Sequence, residues 1–157
     1  MALPPFQTAM DEHRDTIARF LVASVGPQEA EDCLQETLLA ALRAYPRLRP
    51  DSNVRAWLLT IARNKALDSH RARTRRAVPI PDAEPHAGAT DGEPPVDDDP
   101  ALWNAVRELP TKQRAAVVLR FVNDLAHADI ARVLECSEAA ARRSLHEGLA
   151  KLREEWT

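Results

Sequence analysis

A chain of 157 residues, 45% hydrophobic and 29% charged, holds enough apolar material for one ordinary domain or two very small ones and too much to be disordered throughout. Its formal charge of −3 speaks against a nucleic-acid binder only until the charges are placed. Val78 to Pro100 carries seven acids and no Lys or Arg, which leaves 21 bases against 17 acids elsewhere, a net of +4. Cys33 and Cys136 stand alone, without CxxC or Cys/His spacing, so neither a zinc framework nor a disulfide scaffold is expected, and a reducing cytoplasm is the expected location. No apolar run approaches the roughly 20 residues of a membrane span. The start, MALPPFQTAMDEH, lacks the basic end and apolar core of a secretory signal.

Taken in chain order, the first element is a helix from Thr8 to Val25, with Ile17, Phe20, Leu21 and Val25 at helical spacing and Gly26-Pro27 to stop it. A second helix is expected from about Gln28 to Tyr45, with Ala30, Leu34, Leu38, Ala41 and Tyr45 inward and Pro46 and Pro50 beyond its end. Asp51-Ser52-Asn53 offers capping side chains for a third helix starting near Val54, whose apolar stripe is Val54, Trp57, Leu58 and Ile61. Val78 to Pro100 holds six of the twelve prolines and almost no large apolar residue, so it reads as a flexible acidic linker. Beyond it, Ala101 to Glu108 is a short helix with Leu102, Trp103 and Val106 as core. Thr111 is expected to cap a helix to Phe121, Asp124 one to Leu134, and Ser137 one to Glu155. No run alternates with period two. The expected fold is all-α: a helical domain over 1–76, a linker over 77–100 and a second helical domain over 101–157.

Three surfaces carry chemistry. On the second helix, Asp32, Gln35, Glu36, Leu39 and Arg43 form a stripe opposite the core face. A solvated face with one stray leucine is the more frequent meaning of such a pattern. The alternative is a docking face, with acids for steering and Leu39 as the apolar anchor. The third helix runs out into Arg63, Lys65, Arg71, Arg73, Arg75 and Arg76, six bases in fourteen residues against Asp68 alone. Complementing a helix dipole accounts for two or three of them; phosphate contact accounts for the set. Asn64 sits where the face turns polar and is suited to a base edge or simply to solvent.

The last two helices make a helix-turn-helix pattern. DLAHADIARVLE supports, with Leu125, Ile130, Ala131 and Leu134 inward. CSEAAARRSLHEGLAKLREE follows, with Ala141, Leu145, Leu149 and Leu152 inward, and Ser137, Ala140, Arg142, Arg143, Ser144 and Glu147 on or beside the outer face. The small residues Ala139 and Ala140 allow the helix start to approach a phosphate backbone. A plain helical hairpin has the same bare pattern. The histidines at 13, 70, 86, 127 and 146 form no metal-binding spacing, and no P-loop, GxSxG or paired catalytic carboxylate is present, so no catalytic residue, metal or cofactor is expected.

These segments resemble the extracytoplasmic-function sigma factors of the bacterial sigma-70 family. AEDCLQETLLAAL (30–42) is similar to the polymerase-clamp-binding helix, and NVRAWLLTIARNKALD (53–68) to the helix that melts the promoter and reads its minus-ten element. LPTKQRAAVVLRFVNDLAHADIARVLECSEAAARRSLHEGLAKLR (109–153) is similar to the minus-thirty-five-reading domain. The resemblance implies that Asp32, Gln35, Glu36 and Leu39 touch the clamp helices of core RNA polymerase. Asn64 and Lys65 then meet the unpaired non-template strand with Arg63 and Arg71 near the backbone. Arg142 and Arg143 touch the upstream element, with Ser137, Ala140 and Ser144 beside them. It also implies contact with the polymerase flap, promoter DNA as substrate of recognition, a linker that threads the polymerase, and an anti-sigma partner of the kind common in the family. Two departures stand out: AAARRSLHE (139–147) replaces the usual GTVKSRLHR, leaving Ser144 and Glu147 where bases are common, and His127 replaces a frequent tyrosine. The rival readings are a stand-alone helix-turn-helix regulator, which binds duplex DNA by itself, and a nucleic-acid enzyme, for which no constellation exists.

Overall fold

The computed structural model describes residues 3–76 and 100–155, and the expected acidic linker lies outside these apart from Pro100. Among the described residues there are seven α-helices and no strand: α1 (Phe6–Val25), α2 (Pro27–Ala44), α3 (Val54–Arg76), α4 (Pro100–Glu108), α5 (Thr111–Phe121), α6 (His127–Leu134) and α7 (Glu138–Glu155).

The break between α1 and α2 is made by two residues with opposite abilities. Gly26 takes φ 88°, which an L side chain resists, and its N–H closes α1 on the Val22 carbonyl at 3.0 Å. Pro27 then opens α2 at a position where no N–H is needed. The buried stripe of α2 is Ala30, Cys33, Thr37 and Ala41, shifted from the expected one, with Leu34 and Leu38 at its margin. Small residues let α1 and α3 approach closely, and Thr37 is buried without loss because its hydroxyl donates to the Cys33 carbonyl at 2.7 Å. A 3-10 turn, Tyr45–Arg47, follows α2. Tyr45 packs edge-on against Phe6 at 5.3 Å, tilts against Trp57 at 6.2 Å, and donates its hydroxyl to the Pro4 carbonyl. Asn53 caps α3 as expected, its Oδ1 accepting from the Ala56 N–H at 3.1 Å.

In the second half, Ser137 caps α7 as expected, accepting from Ala140 N–H at 3.1 Å. Two other expected caps do not form. Thr111 is the first residue of α5, after Pro110, and Asp124 does not start α6. Asp124 instead adopts a left-handed conformation, φ 54°, and α6 begins three residues later at His127. The turn from α6 to α7 has no glycine; Glu135 takes the left-handed position (φ 55°, ψ 45°), and Cys136 N–H closes on the Ala131 carbonyl at 3.0 Å. Gly148 has a packing role: a Cβ there would stand 2.9 Å from Val117 Cγ2 and 3.3 Å from the Gln113 carbonyl, so α5 and α7 meet over its missing side chain.

One apolar core runs through both halves, from Phe20, Ile17 and Leu21 through Leu58 and Leu59 to Leu119, Ile130 and Val133. The burial of each such side chain stabilises the fold by about 1.5–3 kcal/mol. Helix α1 touches α4 and α5, and α3 touches α6. This explains why α3 buries Leu59 and Ala62 beyond its expected stripe, while Val54, Trp57 and Ile61 are only half-buried: the helix is covered on two sides. Polar contacts pin the seam. Asn123 Nδ2 donates to the Thr16 carbonyl at 2.9 Å, Arg55 to the Asn123 carbonyl at 2.9 Å, and Arg107 to the Val22 carbonyl at 3.2 Å.

Candidate polymerase and nucleic-acid interfaces

On α2, Asp32, Gln35, Glu36 and Leu39 are all exposed on the side away from α1 and α3. Leu39 is 53% exposed, and one turn further Leu42 is 51% exposed, so the apolar part of this face is a pair rather than a single residue. The i+3 spacing of Leu42 from Leu39 is the sequence signal for this pair. Behind this face, burial and then the carboxylates of Glu29, Glu36 and Asp32 push the Cys33 thiol up, against a hydrogen bond with Ser69, so Cys33 stays a protonated core residue.

On α3 the four expected strand-contacting residues divide. Asn64 and Arg71 are exposed and Lys65 is half-buried. Arg63 is 9% exposed and lies under the end of α6. Burial lowers its basicity, against the pull of the Glu135 carboxylate and Cys136, and its Nε has no partner. Arg73 is engaged at home, 2.7 Å from Glu29 in the first turn of α2, and Ser69 donates to the same carboxylate.

On α7, Arg142 and Arg143 are exposed, Ala140 and Ser144 are half-buried, and Ser137 is exposed at the cap. Arg142 is held by Glu138 at 2.9 Å one turn before it, whereas among the described residues no ion pair engages Arg143. Glu147 accepts from Gln113 Nε2 at 3.2 Å, so its carboxylate is drawn toward α5. The three surfaces thus present an acidic and apolar patch on α2, a basic ridge along α3 and a basic helix start on α7. No cluster able to hold a metal occurs among the described residues, and none of their helices is long and apolar enough to cross a membrane.

Helices α1–α3 and α4–α7 form two helical domains, the second a helix-turn-helix domain. Residues 9–76 match the Sigma-70 region 2 family model, and residues 100–152 match Sigma-70, region 4. The chain is 32% identical over 154 residues to RNA polymerase sigma factor CarQ of Myxococcus xanthus, covering 95% of this chain and 87% of that one. It is 32% identical over 141 residues to ECF RNA polymerase sigma factor SigM of Mycobacterium tuberculosis, covering 89% and 70%. Its fold is similar to sigma factor RpoE in a complex with the anti-sigma factor NepR from Bartonella quintana, with a TM-score of 0.76, 23% identity and coverage of 95% and 94%. It is also similar to CnrH in a complex with the cytosolic domain of CnrY, with a TM-score of 0.70, 22% identity and coverage of 96% and 86%. The chain belongs to the extracytoplasmic-function sigma factors of the sigma-70 family. It binds core RNA polymerase and directs it to promoter DNA for melting and initiation. Two sigma regions in family order disfavour the stand-alone regulator.

Proposed function

We propose that the three surfaces divide the work of initiation, with residues 1–76 as the polymerase-binding and melting domain, 77–100 as the connection and 101–157 as the upstream reader. Asp32, Gln35 and Glu36 steer α2 onto the clamp helices, and Leu39, with Leu42 beside it, supplies the desolvated anchor. Asn64 and Lys65 hold unpaired non-template bases, so that melting proceeds by capture and stacking lost in the duplex is offset on the protein. Arg71, and Arg63 once uncovered, neutralise strand phosphate. Arg142 and Arg143, with Ser137, Ala140 and Ser144, seat α7 on the upstream element, which α7 approaches with its N-terminal end. The flap contacts the second domain, and an anti-sigma factor is a further partner, as in the RpoE complex. The chain works in the cytoplasm and performs no chemistry of its own; bond formation belongs to the polymerase.

The observation that carries this reading is the exposed stripe Asp32–Leu39, opposite the buried face of its own helix in a chain of this family. The test is promoter-dependent transcription by core polymerase with the chain, without it, and with Leu39→Arg. Stimulation by the native chain and its loss in the variant are expected. No stimulation on any promoter of a genomic library overturns the assignment.

A further inference from the structure

The seam between α1–α3 and α4–α7 gathers cations with little to balance them. Arg114 of α5 is 6% exposed, and burial pushes its guanidinium down to about 10. Its NH1 donates to the Arg107 carbonyl at 2.7 Å. Arg107 of α4 reaches the Val22 carbonyl of α1, and its guanidinium lies 3.7 Å from where a Gly26 side chain would begin; its Nε is buried without a partner. His70 of α3 sits in the same seam, and its Nε2 is buried without a partner as well. It faces the Ser24 backbone on α1, Glu29 on α2, Arg73 on its own helix and Arg114 on α5, while Arg107 on α4 faces Arg73. The one carboxylate in this group, Glu29, is already held by Arg73 at 2.7 Å and by Ser69.

A proton added to His70 therefore meets Arg114 and Arg73 and no free counter-charge. We propose that His70 is the acid-sensitive catch of this seam: while neutral it permits the closed arrangement that covers Arg63, and when protonated it parts α4–α7 from α1–α3. Burial first, then Arg114 and Arg73, outweigh the Ser24 backbone hydrogen bond and the Glu29 carboxylate and hold His70 below its ordinary value of 6.5 in the closed form. Parting the halves returns it to that value. The stabilisation of the closed form is thus complete above about pH 6.5 and is lost as the pH falls below it, because only the open form takes up the proton there. Opening also matters for reach, a consequence that rests on the proposed promoter role. Elements about 25 base pairs apart lie roughly 85 Å apart along a duplex. A closed chain of this length spans only about 40 Å.

The test is small-angle X-ray scattering of the full chain from pH 7.5 to 5.5, with helix content followed by circular dichroism. A closed chain of 157 residues has a radius of gyration of about 15 Å. Two parted halves joined through 23 residues (77–99) exceed about 20 Å. The native chain is expected to pass from the first value toward the second at constant helix content. His70→Gln, which cannot take a proton, is expected to stay near the first, which separates His70 from the other histidines. His70→Lys is expected to be open at pH 7.5; if it loses helix content, native chain against His70→Gln decides. No expansion of the native chain, or equal expansion of His70→Gln, overturns the proposal. The measurement needs no polymerase, so a chain that stays closed in acid yet supports transcription overturns the catch and leaves the promoter role standing.

Discussion

Asn123 joins the two halves of the molecule through its side chain, donating from Nδ2 to the Thr16 carbonyl at 2.9 Å across a sequence separation of 107 residues. The same residue's carbonyl accepts from Arg55 at 2.9 Å, so a single turn after α5 holds both α1 and α3. Asn123→Ala removes the first contact and leaves the second. A net loss of about 1 kcal/mol of closing energy is expected, roughly a fivefold rise in the open population. Fluorescence transfer between labels on α1 and α7 measures it.

The α2 face is expected to separate binding from stability. Leu39 and Leu42 are each about half exposed and outside the core. Leu39→Arg should alter thermal stability by no more than about 0.5 kcal/mol. The same substitution should weaken association with core polymerase at least tenfold, about 1.4 kcal/mol. Thermal melting and co-sedimentation with polymerase give the two numbers.

Gly148→Ala sets two effects against each other. Alanine is favoured over glycine inside a helix by about 1 kcal/mol. Its Cβ, however, would stand 2.9 Å from Val117 Cγ2, a stiff β-branched carbon, and 3.3 Å from a backbone carbonyl. Overpacking of this kind costs about 1–3 kcal/mol, so the substitution is expected to lower the melting temperature by a few degrees. Scanning calorimetry checks the sign.

On α7, Arg143 makes no ion pair among the described residues, and Arg142 must leave Glu138 to meet phosphate. Arg143→Ala should lower the slope of log K against log salt for holoenzyme on promoter DNA by about 1, and uniformly across sequences. Glu147→Gln removes a carboxylate from the same helix and should tighten promoter binding several-fold at low salt, with the gain fading as salt screens it.

Arg114→Met replaces a buried cation by an apolar chain of similar length. His70 then loses its largest charged opponent, and its closed-form value moves back up toward 6.5. The pH window over which the closed form is destabilised narrows, so acid should open this variant less than the native chain. Scattering at pH 7.5 and 5.5 on both chains decides it.

Much of the fold was legible because it is written in local, repeating signals. Gly26-Pro27 ended α1, Asn53 and Ser137 capped α3 and α7, and the apolar spacing gave seven helices. The exposed residues of α2 and α7 followed from the same spacing, since a helix that buries one side must show the other. What escaped is the seam. Its bonds end on the carbonyls of Thr16, Val22 and Asn123, which any residue would supply and which leave no mark in a sequence. Arg63 read as one more base in a basic run because nothing within α3 signals that α6 covers it. Asp124 had the right chemistry for a cap, but Asn123 must turn toward α1, and the left-handed bend at Asp124 accompanies that turn.

The left-handed residue between α6 and α7 carries a consequence for how this chain can vary. Most side chains are uncomfortable there by about 1–2 kcal/mol, and glycine is the easy choice. Glu135 occupies it instead, and its carboxylate is the acid that draws on Arg63 across the seam. A glycine at this position would relax the turn and at the same time strip Arg63 of that attraction. The reader domain would become sturdier while its hold on the rest of the molecule slackened, so one position tunes durability and readiness in opposite directions.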